Sequence, residues 1–157
     1  MQINKILIGV DESKFSEYAA AYGFDIARTF SAHVGLVHII EPNVAPINST
    51  DTITGMPMQT SGIDDMEMLN IQEDMSENII ERTIKKYAGN LQVTHFNEYG
   101  STADSIISCS KEFGADLIII GTHNRSGIDR LLMGSVAESV VRNSHIPVLV
   151  VPLLADN

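Results

Sequence analysis

The chain predicts a doubly wound α/β fold, a five-stranded parallel sheet with about four helices on its faces. Three observations carry that expectation. Short β-branched runs alternate with segments of helical periodicity, the order expected of successive strand-helix-strand units. The strand-like runs, such as Leu117-Ile118-Ile119-Ile120, are continuously apolar rather than alternating, as in strands covered on both faces. Glycines punctuate the helical segments at their ends, as at Gly89 and Gly114. A length of 157 residues fits a single domain spanning 1–157, large enough to bury a core and too short for two ordinary ones.

Lys5 to Val10 is the first strand, and Ser13 stands where a hydroxyl can cap the next helix. Behind it Phe15, Ala19, Tyr22 and Ile26 recur at helical spacing, which predicts one apolar stripe facing the sheet. Val34 to Ile40 is the second strand, ended by Glu41-Pro42. Residues 42–62 are rich in Pro, Asn, Ser, Thr, Gly and Met and have no period, which predicts a mobile flap or a disordered segment. Helical spacing returns from Asp64 to Tyr87, with Met68, Ile71, Met75 and Ile79 followed by Ile80, Ile84 and Tyr87. Methionines at that spacing are expected as core filler, the other reading being an adaptable binding face. Ala88-Gly89-Asn90 ends the helix, and Leu91 to Phe96 is the third strand. A helix from Ser101 or Thr102 to Phe113 stops at Gly114. Ala115 to Ile120 is the fourth strand, Ser135 to Arg142 the last helix, and Ile146 to Val151 the last strand.

Twenty acidic against ten basic residues give a formal net charge of −10. Such a surface repels a nucleic-acid backbone and an anionic membrane, so neither is an expected partner. The single cysteine, Cys109, rules out an internal disulfide and a cysteine-based metal cluster, and its helical position predicts a buried small hydrophobe. With no basic-plus-apolar leader and no apolar stretch of membrane-spanning length, the expectation is a cytoplasmic protein.

The richest stretch is Gly121-Thr122-His123-Asn124-Arg125 through Gly134-Ser135-Val136, which joins a buried strand to a helix. A helix N-terminus offers unpaired N–H groups and partial positive charge, so this junction reads as a phosphate cradle. Arg125 and Arg130 could supply local positive charge there or be ordinary solvated arginines, and His123 reads as a loop histidine rather than a base. In doubly wound sheets ligands sit beyond the carboxyl ends of the strands, which would bring Asp11 and this loop to one crevice. Asp11 could accept from a ribose hydroxyl, help hold a metal on phosphates, or cap the helix behind it.

The spacing Gly121, Asn124, Gly134, Ser135 resembles the universal stress protein family, whose ATP-binding members carry Gly, two residues, Gly, nine residues, Gly, then Ser or Thr. Asn124 stands in place of the middle glycine, and asparagine is the next-best residue at positive φ. Lys5 to Ser13 and Ile146 to Val151 resemble the family's first and last strands, so the likeness covers nearly the whole chain outside residues 42–70. The resemblance implies a Rossmann-like strand order 3-2-1-4-5. It implies an adenine nucleotide, ATP with Mg²⁺, on a site of Val10, Asp11, Ile39, Gly121, Thr122, His123, Asn124, Arg125, Gly134, Ser135 and Val136. In it Asp11 meets the ribose, the backbone at Ile39 meets the adenine, and the glycine loop holds the phosphates. It also implies a homodimer through Val148 to Val151, an apolar edge strand in need of cover. No metal site formed by protein alone is expected.

No P-loop, dinucleotide fingerprint or nucleophile elbow is present. The resemblance implies a stress-response regulatory or interaction module that binds ATP, and the missing motifs make binding rather than turnover the expectation. Two alternatives stay open, a same-fold interaction protein that has lost the nucleotide and a slow ATP hydrolase.

Overall fold

A computed structural model describes residues 2–41, 65–122 and 134–153. The elements run β1 (Lys5–Gly9), α1 (Lys14–Phe30), β2 (His33–Ile40), α2 (Asp65–Tyr87), β3 (Val93–Tyr99), α3 (Thr102–Phe113), β4 (Leu117–Thr122), α4 (Ser135–Asn143) and β5 (Val148–Pro152). All strand pairs are parallel and the order is β3-β2-β1-β4-β5, so the doubly wound sheet of order 3-2-1-4-5 with four helices is the observed fold. The segment expected to be a flap, 42–62, lies outside the described residues.

Side chains alternate along each strand, so each strand feeds two cores. Ile6, Ile8, Val34, Leu36 and Ile119 face α1 and α2, where they meet Phe24, Ile79 and Ile80. Leu7, Val37, Ile118 and Ile120 face the opposite layer and pack on Ile106, Phe113 and Val140. Each large side chain buried this way contributes about 1.5–3 kcal/mol. Cys109 is buried among this second set, and burial, reinforced by Glu98 and Glu112, pushes its thiol up to about 11.

Two sequence expectations about helix faces are corrected. The buried face of α1 is Ser16, Ala19, Ala20, Gly23, Phe24 and Ala27, while Tyr22 of the expected stripe is 49% exposed. Close packing explains the shift: a Cβ on Gly23 would stand 2.7 Å from Ile8 Cδ1, so the helix approaches the sheet along a face of small residues around Phe24 and leaves Tyr22 outside it. In α2, Ile79 and Ile80 are buried as expected, but Met68, Ile71 and Met75 are exposed. The reason is overhang. Tyr99, the last residue of β3, donates its hydroxyl to Glu73, so Met68 and Ile71 project past the sheet and nothing among the described residues covers them, while Met75 lines the open groove beside His38 and Ile39. The expected third strand, Leu91 to Phe96, is also displaced, to Val93–Tyr99.

Candidate functional site

The crevice lies where β1 and β4 end side by side, at the reversal of strand order. β1 stops at Gly9, paired with Val37, while β2 runs three residues further, to Ile40. On β2 the odd-numbered residues turn their backbone groups toward β1, as shown by Val10 N–H donating to Val37 O at 2.9 Å. The even-numbered ones face β3, as Gly100 N–H donating to Ile40 O shows. Ile39 therefore presents its amide N–H and carbonyl toward a neighbour strand that has ended, and among the described residues neither finds a partner. A buried or half-buried backbone pair of this kind calls for a ligand or water.

Around Ile39 a pocket of about 360 Å³ opens, within the range of small-molecule sites. Five of the expected residues, Val10, Asp11, Ile39, Gly121 and Val136, line it together. Thr122 ends β4, is buried and is not part of the lining. Gly134 and Ser135 stand immediately before Val136 without lining the pocket themselves. His123, Asn124 and Arg125, with Asn124 expected at positive φ, lie outside the described residues.

Asp11 does two jobs. Its Oδ1 accepts from Ser13 N–H at 2.7 Å, its own N–H donates to Ser16 Oγ at 2.7 Å, and Oδ2 has no partner among the described residues. Capping of α1 and an acceptor free for a ligand thus coexist in one side chain. The N-cap of α1 is Ser13, as expected, with Ser16 N–H donating to its Oγ at 3.2 Å.

Two of the motif residues play parts other than those expected. A Cβ on Gly121 would come within 2.6 Å of the Phe15 carbonyl oxygen, so this glycine lets the first turn of α1 lie against β4. Ser135, weighed as an N-cap serine, is the first residue inside α4, and Gly134 is the cap, at φ 80° and ψ 145°. That conformation is open to glycine and strained for other residues. With no side chain at the cap, the first N–H groups of α4 have no side-chain acceptor among the described residues.

Sequence reasoning missed Val37, Glu41, Thr102 and Ile106, which complete the walls. Period two along β2 could have found Val37 and Glu41 beside Ile39, because the three side chains share one face. Thr102 Oγ1 donates to the Glu41 carboxylate, tying the end of β2 to the start of α3 across the pocket mouth. On the other face of β2, His38 Nδ1 lies 2.7 Å from the buried Ser76 Oγ, which donates to Asn97 Oδ1 at 2.8 Å. Burial holds the His38 imidazole below the usual histidine range, with Asp11 and Glu12 pulling weakly the other way. Among the described residues no group of three or more His, Cys, Asp or Glu could hold a metal ion, and no helix is long and apolar enough to cross a membrane.

A parallel α/β sheet whose strand-order reversal opens on a small pocket beside a glycine-capped helix defines a protein of the doubly wound, Rossmann-like class. Residues 2–152 match the universal stress protein family, and the chain belongs to that family. Universal stress protein MJ0531 of Methanocaldococcus jannaschii is 35% identical over 149 residues, 94% of this chain and 81% of its own length. The solved structure of MJ0577 from the same organism superposes with a TM-score of 0.76 at 25% identity, covering 99% of this chain and 100% of that one. A universal stress protein from Archaeoglobus fulgidus, solved in complex with dAMP, superposes with a TM-score of 0.60 at 20% identity, covering 96% of this chain and 98% of that one.

Proposed function

We propose that this protein is a regulatory module whose crevice binds an adenine nucleotide, ATP with Mg²⁺ included, and whose occupancy rather than turnover carries the signal. The observation that carries the reading is that Ile39, on the pocket wall, has no partner for its N–H and C=O among the described residues. An amide N–H beside a carbonyl matches the N1 acceptor and the exocyclic amine of adenine, whereas guanine presents the opposite pattern at those places. Asp11 Oδ2 is then the acceptor for a ribose hydroxyl, and the uncapped start of α4 at Gly134-Ser135 takes phosphate. The dAMP-bound relative supports the same class of ligand. His123, Asn124 and Arg125 complete the phosphate side in this proposal.

Assembly and location belong to the proposal too. β5 is a sheet edge, paired only with β4, and its Val148, Leu149 and Val150 are half-buried. A second copy paired along Val148 to Val151 would cover it. We place this single-domain protein in the cytoplasm.

Base-edge analogues test the reading on the unaltered protein. Adenosine and AMP should raise the thermal midpoint, and inosine and N1-methyladenosine should not, because inosine reverses both halves of the Ile39 pairing and N1-methylation blocks its acceptor half. Ligand at a hundred times its dissociation constant adds about 2.7 kcal/mol. That is roughly 5–10 °C for a chain of this size. Ile39→Pro sharpens the test. It deletes an N–H that no strand uses, so the fold should survive while adenine binding falls at least tenfold; equal shifts with adenosine and inosine would remove the basis of the proposal.

A further inference from the structure

A groove of about 400 Å³ separates the end of β2 from α2, with Ile39, Met75 and Ile79 in its apolar lining and Asp11, Glu12 and Glu41 in its charged lining. On α2 the apolar surface continues outward. Met68, Ile71 and Met75 follow one another at steps of three and four and are exposed, so with Ile79 the stripe runs about 16 Å. Exposed carboxylates border it on both sides. Asp11, Glu12 and Glu41 stand at the strand ends. Buried Ser76 and Ile80 mark the side of α2 that meets the sheet, and the side turned away carries Glu67 and Asp74, four and three residues from Ile71 and so its neighbours on the helix surface. None of these five acids is in an ion pair with Lys or Arg among the described residues, whereas Glu17, Asp25 and Glu138 elsewhere each are. Arg82, seven residues past Met75, ends the stripe.

An apolar stripe between two acidic rims selects its occupant by charge. A second copy of this chain would set the same carboxylates against these, and an anionic membrane carries the same sign, so both are opposed. A cationic amphipathic helix is complementary on every count: its apolar face meets the stripe, and Lys or Arg stems lie along the apolar edge while their heads reach the rims. The unbranched thioethers of Met68 and Met75 adapt to varied apolar anchors. We infer that α2 and the end of β2 form a docking groove for a basic amphipathic helix of a partner protein, seated on Met68, Ile71, Met75 and Ile79 and held by the two carboxylate rims. The groove needs no nucleotide for this, although Asp11, Ile39 and Glu41 line it and the neighbouring pocket alike.

Fluorescence anisotropy of a labelled Leu/Lys peptide of about five helical turns, leucine on one face and lysine on the other, titrated with the full chain tests this. The peptide should bind, more weakly as salt is added. The same peptide with serine for leucine should bind at least tenfold more weakly, and a Leu/Glu peptide should not bind. Met68→Ser with Met75→Ser should cost at least fivefold, and Glu67→Gln with Asp74→Asn at least threefold; all four positions are exposed, so the fold should survive. The equal charge change on exposed positions of α3, Asp104→Asn with Glu112→Gln, should leave affinity within 1.5-fold. Equal binding of the serine peptide, or equal losses from the two charge pairs, would reduce the attraction to the net charge of −10 and overturn the groove. A methionine double variant that alters the sedimentation of the chain alone would give the stripe to a second copy and overturn the partner. Failure of the Leu/Lys peptide to bind would overturn the inference outright.

Discussion

At the N-terminal ends of the strands a cavity of about 690 Å³ is bounded by Asn4, Arg28, His33 and Gln92, while the crevice at the opposite ends measures about 360 Å³. The two titratable side chains that line the larger cavity are both partnered. Arg28 donates to Tyr87 O at 2.9 Å and pairs with Asp25, and His33 Nε2 meets Thr94 Oγ1 at 2.9 Å. Beside it Asp116 Oδ2 accepts from both Asn4 and Lys5 N–H, and Lys5 Nζ donates to Phe113 O. Among the described residues the smaller crevice holds groups without a partner: Ile39 N–H and C=O, Asp11 Oδ2 and the glycine-capped start of α4. Volume is a poor guide to a site when the charged groups at one end are partnered within the fold and polar groups at the other end are not, among the described residues.

That contrast makes separable predictions. The largest effect should come from Gly134→Val. A side chain at φ 80° is strained by about 1–2 kcal/mol. It also covers the N–H groups of α4, so nucleotide affinity should fall beyond detection in a folded variant. Undiminished affinity would show that the start of α4 holds no anion. Gly121→Ala should do the reverse. Its Cβ meets the Phe15 carbonyl, a backbone group that cannot yield cheaply, and overpacking of this kind costs about 1–3 kcal/mol in chemical denaturation.

At the N-terminal ends of the strands Asp116→Ala leaves two backbone N–H groups without their acceptor. It should cost about 1–3 kcal/mol and leave adenosine affinity as it was; a parallel loss of binding would break the division between the two ends. The smallest effect concerns acid. A histidine with a depressed native pKa binds fewer protons folded than unfolded, so the stability it confers is full above the unfolded value near 6.5 and is lost as pH falls through the lower native one. His38→Gln should therefore flatten the decline of the thermal midpoint on the acid side. An unchanged acid slope would assign that decline to other groups, His33 among them, whose pKa burial also lowers.

The sheet was legible because its information is local: each strand is an apolar run, and Ser13 and Gly114 mark helix ends with chemistry that acts within a few residues. The faces of α1 and α2 were not. Which side of a helix is buried depends on what it meets, and neither the proximity of Ile8 to Gly23 nor the overhang before Glu73 is written at helical spacing. Of the candidate site, Val10, Asp11, Ile39, Gly121 and Val136 converge as expected because all sit at element ends on one edge. Thr102 and Ile106 escaped notice because they arrive from a helix more than sixty residues beyond Ile39, brought close only by the crossover.

The approach of α1 to β4 at Gly121 bears on how relatives should be compared. A glycine required by the Phe15 carbonyl stays required whether or not a ligand is ever bound. Lineages that abandon the ligand should keep it, while the glycine that caps α4 drifts toward ordinary capping residues such as serine or aspartate. The second glycine, not the first, is then the letter to read when sorting binders from non-binders.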